Sequence, residues 1–190
     1  FAARMARDST FVLDRLRHGI DSIKDNFDVI LLDPPPALGM LSLSVLRAAS
    51  ALVIPAPPNN IDFGSTAHFL KMMGATLEEL ARAGGTRDYA FVKILATKMN
   101  DAKSAHQAIK RMMEAVFPMD MMTAVLKDSA EIDNAAANLS TVYELTGPGT
   151  RTETHKRCRA YLDAVNGEIE LLIRKTWPSH HSALRKEGLL

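Results

Sequence analysis

Asp33 is the residue of this sequence best placed to do chemistry. It closes the run Phe27-Asp28-Val29-Ile30-Leu31-Leu32, and Pro34-Pro35-Pro36 then forbid both helix and further sheet pairing. Val29 to Leu32 is a short unbroken apolar run, which suits a strand buried on both faces of a parallel sheet. Open α/β sheets bind ligands in the crevice beyond the carboxyl ends of such strands. Two readings stand side by side. One is a strand ending in a polar turn; the other is an aspartate that holds Mg²⁺ through water opposite the phosphates of a nucleotide.

The other candidates follow later strands. Asn59 to Thr66 comes after a second apolar run, so Asp62, Ser65 and Thr66 can face the same edge of a sheet as Asp33; a helix entry capped by Asp62 or Ser65 is the alternative. Thr97-Lys98-Met99-Asn100-Asp101 is either a turn with the cap of the next helix or a contact for a nucleotide base. Lys98, Lys103, His106, Lys110, Arg111 and Lys127 make a basic patch for phosphates if their elements lie together, and an ordinary solvated face if they do not. The six histidines have no metal spacing, and Cys158 reads as a core residue.

The elements that must position these residues alternate. Val12, Leu16, Ile20 and Ile23 recur at helical spacing behind Asp8 and Ser9 as caps. A short buried helix over 39–49 leads to a strand over 51–55, closed by Pro55, Pro57 and Pro58, which makes a right-handed βαβ unit. A helix is predicted over 65–83, ended by Gly84-Gly85, then a strand over 89–96. The next helix, 101–117, turns Ala105, Ile109, Met112 and Val116 inward, and a short strand follows near 121–125. Residues 129–139 read as a helix with Asp133 and Asn134 outward. Thr150-x-x-Glu153 is a capping box for a last helix striped by Cys158, Leu162, Val165, Ile169 and Leu172. Residues 1–175 are expected to form one domain portion, and 176–190 an aperiodic, mobile tail.

With 190 residues, 47% of them hydrophobic, the chain can bury one core. A net charge of +1 gives no bulk argument for nucleic acid or a membrane surface. One cysteine rules out an internal disulfide and fits a reducing compartment. No apolar run is long enough to span a bilayer.

The stretch Asp28 to Gly39, continued by Leu41-Ser42-Leu43-Ser44-Val45-Leu46-Arg47-Ala48-Ala49, resembles the Walker B segment of ParA-type partition ATPases. Leu52-Val53-Ile54-Pro55-Ala56-Pro57-Pro58 and Ile61-Asp62-Phe63-Gly64-Ser65-Thr66 resemble their plasmid-borne branch, nearest the RepA proteins of alphaproteobacterial repABC plasmids. The resemblance continues through Lys127-Asp128-Ser129-Ala130, Thr141-Val142-Tyr143-Glu144-Leu145 and Leu162 to Ile169, and so covers nearly the whole chain. It implies an α/β, three-layer, mostly parallel sheet of the P-loop NTPase type (deviant Walker A, ParA/MinD-like), incomplete at its N-terminal side. No glycine here stands in a Gly-x-x-x-x-Gly-Lys-Ser/Thr pattern and the chain begins at Phe1, so it is expected to be the C-terminal part of a longer protein and inactive alone.

The resemblance further implies ATP and Mg²⁺ as cofactors of the parent, with Asp33 catalytic and metal-holding through water. It places Pro34, Pro35, Lys98 and Asn100 at the nucleotide, Asp62, Ser65 and Thr66 in a switch and dimer region, and Lys127 and Lys103 on DNA. The implied partners are a second copy, nonspecific DNA and a centromere-binding ParB/RepB-like protein, with no membrane; the implied location is the cytoplasm, on the nucleoid. Repression of its own operon is a further implied role. A non-catalytic α/β fragment using the Asp33 crevice for a small anion or metabolite is the alternative.

Overall fold

The computed structural model describes residues 2–35, 39–82, 88–145 and 152–189, with side chains from residue 13 onward except 60–62, 77 and 79–81. They fall into two compact units, Phe1–Leu52 with Ala81–Ala90, and Val53–Leu80 with Phe91–Leu190.

The first unit is built on α1 (Ala2–Ile23) and α2 (Met40–Ala48), which pack together. Ala2, Ala3, Arg4, Met5, Ala6 and Arg7 are strong helix formers and carry α1 far in front of Asp8 and Ser9, which therefore lie inside the helix and are not its caps. Leu13, Val45, Leu46 and Ala48 are buried. Arg47 of α2 grips Asp14 of α1 with three hydrogen bonds of 2.7–2.9 Å. Tyr89 donates its hydroxyl proton to the Leu46 carbonyl at 2.7 Å.

Between α1 and α2, the expected strand over 29–32 does not form. Residues 27–35 form no strand, although Phe27 itself is extended (φ −140°, ψ 138°), and Leu31 is 86% exposed. A parallel strand sends all its backbone hydrogen bonds to neighbouring strands, and among the described residues none lies beside this segment. The apolar run is strand-forming in composition and lacks the partners that would make it one.

The second unit holds a parallel two-stranded sheet, β1 (Leu52–Ala56, from Val53 onward in this unit) and β2 (Val92–Ala96). Pro55, which cannot donate to a ladder, is tolerated because β1 is an edge strand. Helix α3 (Asn60–Arg82) starts five residues before the expected Ser65. Pro57 and Pro58 fix the turn, and Asn59, a residue type suited to N-caps, accepts the first helical bond from Phe63 N at 2.8 Å. Gly84-Gly85 lies outside the described residues.

Helix α4 (Ser104–Val116) turns a different stripe inward from the one its apolar residues suggest. Met113 is 1% exposed, whereas Met112 is 43% exposed and Ala105 and Val116 are also exposed. The inner stripe is His106, Ile109, Lys110, Met113 and Phe117, with the stems of His106 and Lys110 half-buried below their polar ends.

Helix α5 (Ala130–Ala137) is capped by Ser129 Oγ, which accepts from Glu131 N, and leaves Asp133 and Asn134 outward as expected. Helix α6 (Glu153–Thr176) is capped by Thr152, whose hydroxyl accepts from His155 N at 3.2 Å; Thr150, the expected cap, lies outside the described residues. The stripe of α6 closes two core clusters. Val165 and Ile169 meet Leu95 and Met122, while Cys158 and Leu162 meet Ala135 and Val142. The terminal stretch, read as aperiodic, contains a 3₁₀ turn, Pro178–His180, and a short helix α7 (His181–Lys186), with Leu184 fully buried.

Candidate functional site

The chemistry-bearing residues of the second unit converge at the carboxyl end of β2. Thr97 is buried and its N–H reaches the Ala56 carbonyl at 3.3 Å, so the turn leaves the sheet from a fixed point. Lys98 then takes a left-handed conformation (φ 50°), uncommon for a residue with a Cβ and a form of backbone strain that gathers at functional sites. Met99 is buried and rejoins the neighbouring segment: its N–H donates to the Leu126 carbonyl at 3.2 Å, and its carbonyl accepts from Asp128 N at 3.0 Å.

Asn100 makes the next bend. Its side-chain oxygen accepts from Ala102 N at 3.0 Å, its N–H reaches His106 Nδ1 at 3.3 Å, and its carbonyl accepts from Lys103 N at 3.1 Å. The asparagine oxygen thus replaces a backbone acceptor in the turn.

The expected strand near 121–125 runs beside β2 as an interrupted ladder. Bridges pair Ile94 with Met121 and Met99 with Lys127, both parallel. Met122 N donates to the Ile94 carbonyl at 2.9 Å, but the next bond, to the Ala96 carbonyl, comes from Leu126 N at 2.9 Å, where a regular ladder would use Ala124. Two extra residues therefore leave the ladder. The N–H groups of Thr123 and Ala124 turn to Glu168 of α6, one to each carboxylate oxygen, at 2.9 and 2.6 Å. Hydrogen bonds to a charged acceptor contribute about 1.5–3 kcal/mol each, which offsets the lost pairing.

Lys127, placed by this segment, is half-buried and ion-paired through its Nζ to both carboxylate oxygens of Asp101. Lys110 is paired with Glu114, and His106 is engaged by the Asn100 N–H. Among the described residues Lys98, Lys103 and Arg111 make no ion pair. The basic set is accordingly weaker in net charge than its composition suggests. Sequence reasoning missed Asp101 and Glu168 as partners, since no local spacing links either to residue 127 or to 123–124.

Asp33 belongs to the first unit, where it, Pro34 and Pro35 are exposed; the Pro35 carbonyl accepts from Ser42 Oγ at 3.2 Å. Asp62, Ser65 and Thr66 lie within the first two turns of α3, not in a loop before it. Ser65 is exposed and Thr66 half-buried, and the Asp62 side chain lies outside the described part. No group of three or more His, Cys, Asp or Glu residues able to hold a metal ion occurs among the described residues. A single exposed carboxylate fits Mg²⁺, which takes one or two carboxylates together with waters and phosphate oxygens. For the nucleotide's phosphates the fit fails, because no Gly-rich turn with a lysine occurs in this sequence.

The profile of the AAA domain family matches residues 4–82. A putative replication protein A of Rhizobium rhizogenes is 28% identical over 168 residues, covering 88% of this chain and 42% of that protein. Protein SopA of Escherichia coli K12 is 25% identical over 165 residues, covering 85% of this chain and 42% of SopA. A solved Cyanothece McdA–ATP complex superposes with a TM-score of 0.60 at 20% identity, over 87% of this chain and 62% of that one. The chain spans about two fifths of the length of the curated relatives it matches. The expected fold class holds: an α/β P-loop NTPase fold, present here in part.

Proposed function

The chain is a relative of the ParA-type partition ATPases, of the RepA kind, and on that premise we propose that it supplies the switch, dimer-forming and DNA-facing part of such an ATPase. In this reading the whole protein pairs with a second copy when ATP is bound. It then holds DNA without regard to sequence, and a centromere-binding ParB/RepB-like partner stimulates its hydrolysis. The observation that supports it is the convergence of Lys98, Asn100 and Lys127 at one end of β2, on a turn pinned by Thr97, Met99 and Asp101. A site held by its backbone presents its side chains without reordering them, which is what positioning of phosphates requires.

Each residue has a distinct task. Asp33 is the metal anchor, acting through water, and Pro34 and Pro35, next to it in the chain, belong to the nucleotide-binding set. Lys98 and Asn100 lie beside the nucleotide, and the first turns of α3, with Asp62, Ser65 and Thr66, form the switch and dimer region. Lys127, helped by Lys103, meets DNA phosphates, exchanging the carboxylate of Asp101 for a phosphate oxygen. ATP with Mg²⁺ supplies the energy of the dimer cycle, and the phosphate cradle belongs to the whole protein and not to these residues. Repression of the operon would use the same DNA contacts.

The test compares Lys127→Ala with the unaltered whole protein, both with ATP, on random duplexes across a salt series. Loss of a phosphate contact weakens binding to all sequences alike and lowers the salt slope by about one unit. Unchanged affinity and slope would return Lys127 to the role of a structural ion-pair partner.

A further inference from the structure

The hydrogen bonds around Glu168 have a consequence for Lys127. Between the Ile94–Met121 bridge and the Met99–Lys127 bridge the pairing offset grows by one residue. Two residues are added on the 120–128 side, where Thr123 and Ala124 leave the ladder, and one on the β2 side, where Lys98 bulges out in its left-handed conformation. A one-residue change of register moves a strand's side chains to the opposite face. The single residue at Lys98 makes that change of face; the two at Thr123 and Ala124 keep the face and slide the segment along β2, so that without them Val125, and not Lys127, would stand opposite Met99.

Something must keep the shift in place, because two backbone N–H groups that leave a ladder need other acceptors. Glu168 is the only described group that accepts from Thr123 N and Ala124 N, and it reaches them from another element with both of its oxygens. Its helix is anchored beside the same segment, since Val165 and Ile169 pack in one cluster with Met122, Ala124 and Leu126. Each of the two N–H groups thus has its own oxygen of one carboxylate.

We propose that Glu168 is a positioning residue for Lys127: by holding the N–H groups of Thr123 and Ala124 it fixes the two-residue insertion that slides the lysine into place opposite Met99, beside Asp101. Its effect on DNA rests on the reading of Lys127 given above; its effect on register does not. The two are therefore separable by experiment.

In the whole protein, Glu168→Ala should speed amide hydrogen exchange at Thr123 and Ala124 at least tenfold while the strands β1 and β2 keep their protection. Glu168→Gln keeps one neutral oxygen acceptor and should restore part of that protection, and it serves if the alanine variant folds poorly. Unchanged exchange at both amides, or an acceleration spread evenly over the chain, overturns the proposal. The second arm measures nonspecific DNA binding with ATP for Glu168→Gln, Lys127→Ala and the double variant. Loss of affinity in Glu168→Gln that disappears in the Lys127→Ala background supports the coupling. Faster local exchange with unaltered DNA binding upholds the positioning role and removes the DNA reading. A loss of DNA binding without faster exchange at Thr123 and Ala124 overturns the positioning role.

Discussion

Leu139 shows how a single residue can carry a conformational cost. It follows α5 in the left-handed conformation (φ 51°), with Leu139 N donating to the Ala136 carbonyl and Ser140 N to the Ala135 carbonyl, both at 3.0 Å. This is the Schellman arrangement, whose left-handed position is usually glycine. The leucine side chain is 98% exposed and recovers nothing by burial. Leu139→Gly should therefore stabilise the protein by about 1 kcal/mol, a rise of roughly 2–4 °C in Tm by thermal melting. Asp101 is the ion-pair partner of Lys127. On the proposed DNA role of Lys127, removal of the charge in Asp101→Asn should tighten nonspecific DNA binding in a salt series where Lys127→Ala weakens it. Glu144 responds to pH. Hydrogen bonds from Thr141 N and Oγ1, with a weaker one from Ser140, hold its carboxyl below the usual carboxylate range. The folded-state pKa is lowered, so the contribution is present above the ordinary carboxylate pKa and is lost as pH falls through the lowered value. Exchange at Thr141 N should accelerate in that acid range, and in Glu144→Gln this extra acid sensitivity should vanish.

At the scale of elements, α1 and α2 are joined by more than apolar contact. The Arg47 side chain is only 9% exposed and Asp14 22%, and the guanidinium uses Nε and one terminal nitrogen on the carboxylate. A fork of this kind is specific to arginine. Arg47→Ala leaves a partly buried carboxylate without this fork and should cost about 3 kcal/mol in denaturant unfolding. Arg47→Lys should recover only part of it, because a point charge cannot reproduce three bonds. In the second unit α6 does the corresponding work. Its apolar stripe packs both core clusters, and Glu168 on the same helix takes up the amides that the interrupted ladder releases.

At the scale of the whole molecule, the stretch 27–35 has no strand beside it among the described residues. Phe27, Val29 and Leu31 are exposed apolar residues along it. Amide exchange over 27–33 should be among the fastest of the described residues, measured by deuterium uptake. Titration of this chain with Mg-ATP should give no heat of binding at micromolar concentrations, since nothing in its sequence forms the backbone cradle for β- and γ-phosphates. Micromolar affinity would show that other residues grip the nucleotide. No helix among the described residues is long and apolar enough to cross a membrane.

The sequence by itself determined the features that depend on neighbours along the chain. Asp133 and Asn134 face outward on α5, prolines close β1, and the stripe through Cys158 and Val165 faces the core, because turns and helical faces are set by interactions within about four residues. Tertiary structure alone decided which of Met112 and Met113 turns inward, two adjacent methionines that periodicity cannot separate when the true stripe includes His106 and Lys110. It also decided that Val29–Leu32 stays unpaired, that Lys127 meets Asp101, and that Glu168 holds Thr123 and Ala124. Backbone pairing joins residues with no fixed separation in the chain, so a ladder, and the register that sends each side chain to one face or the other, exists only when its partner strand is present.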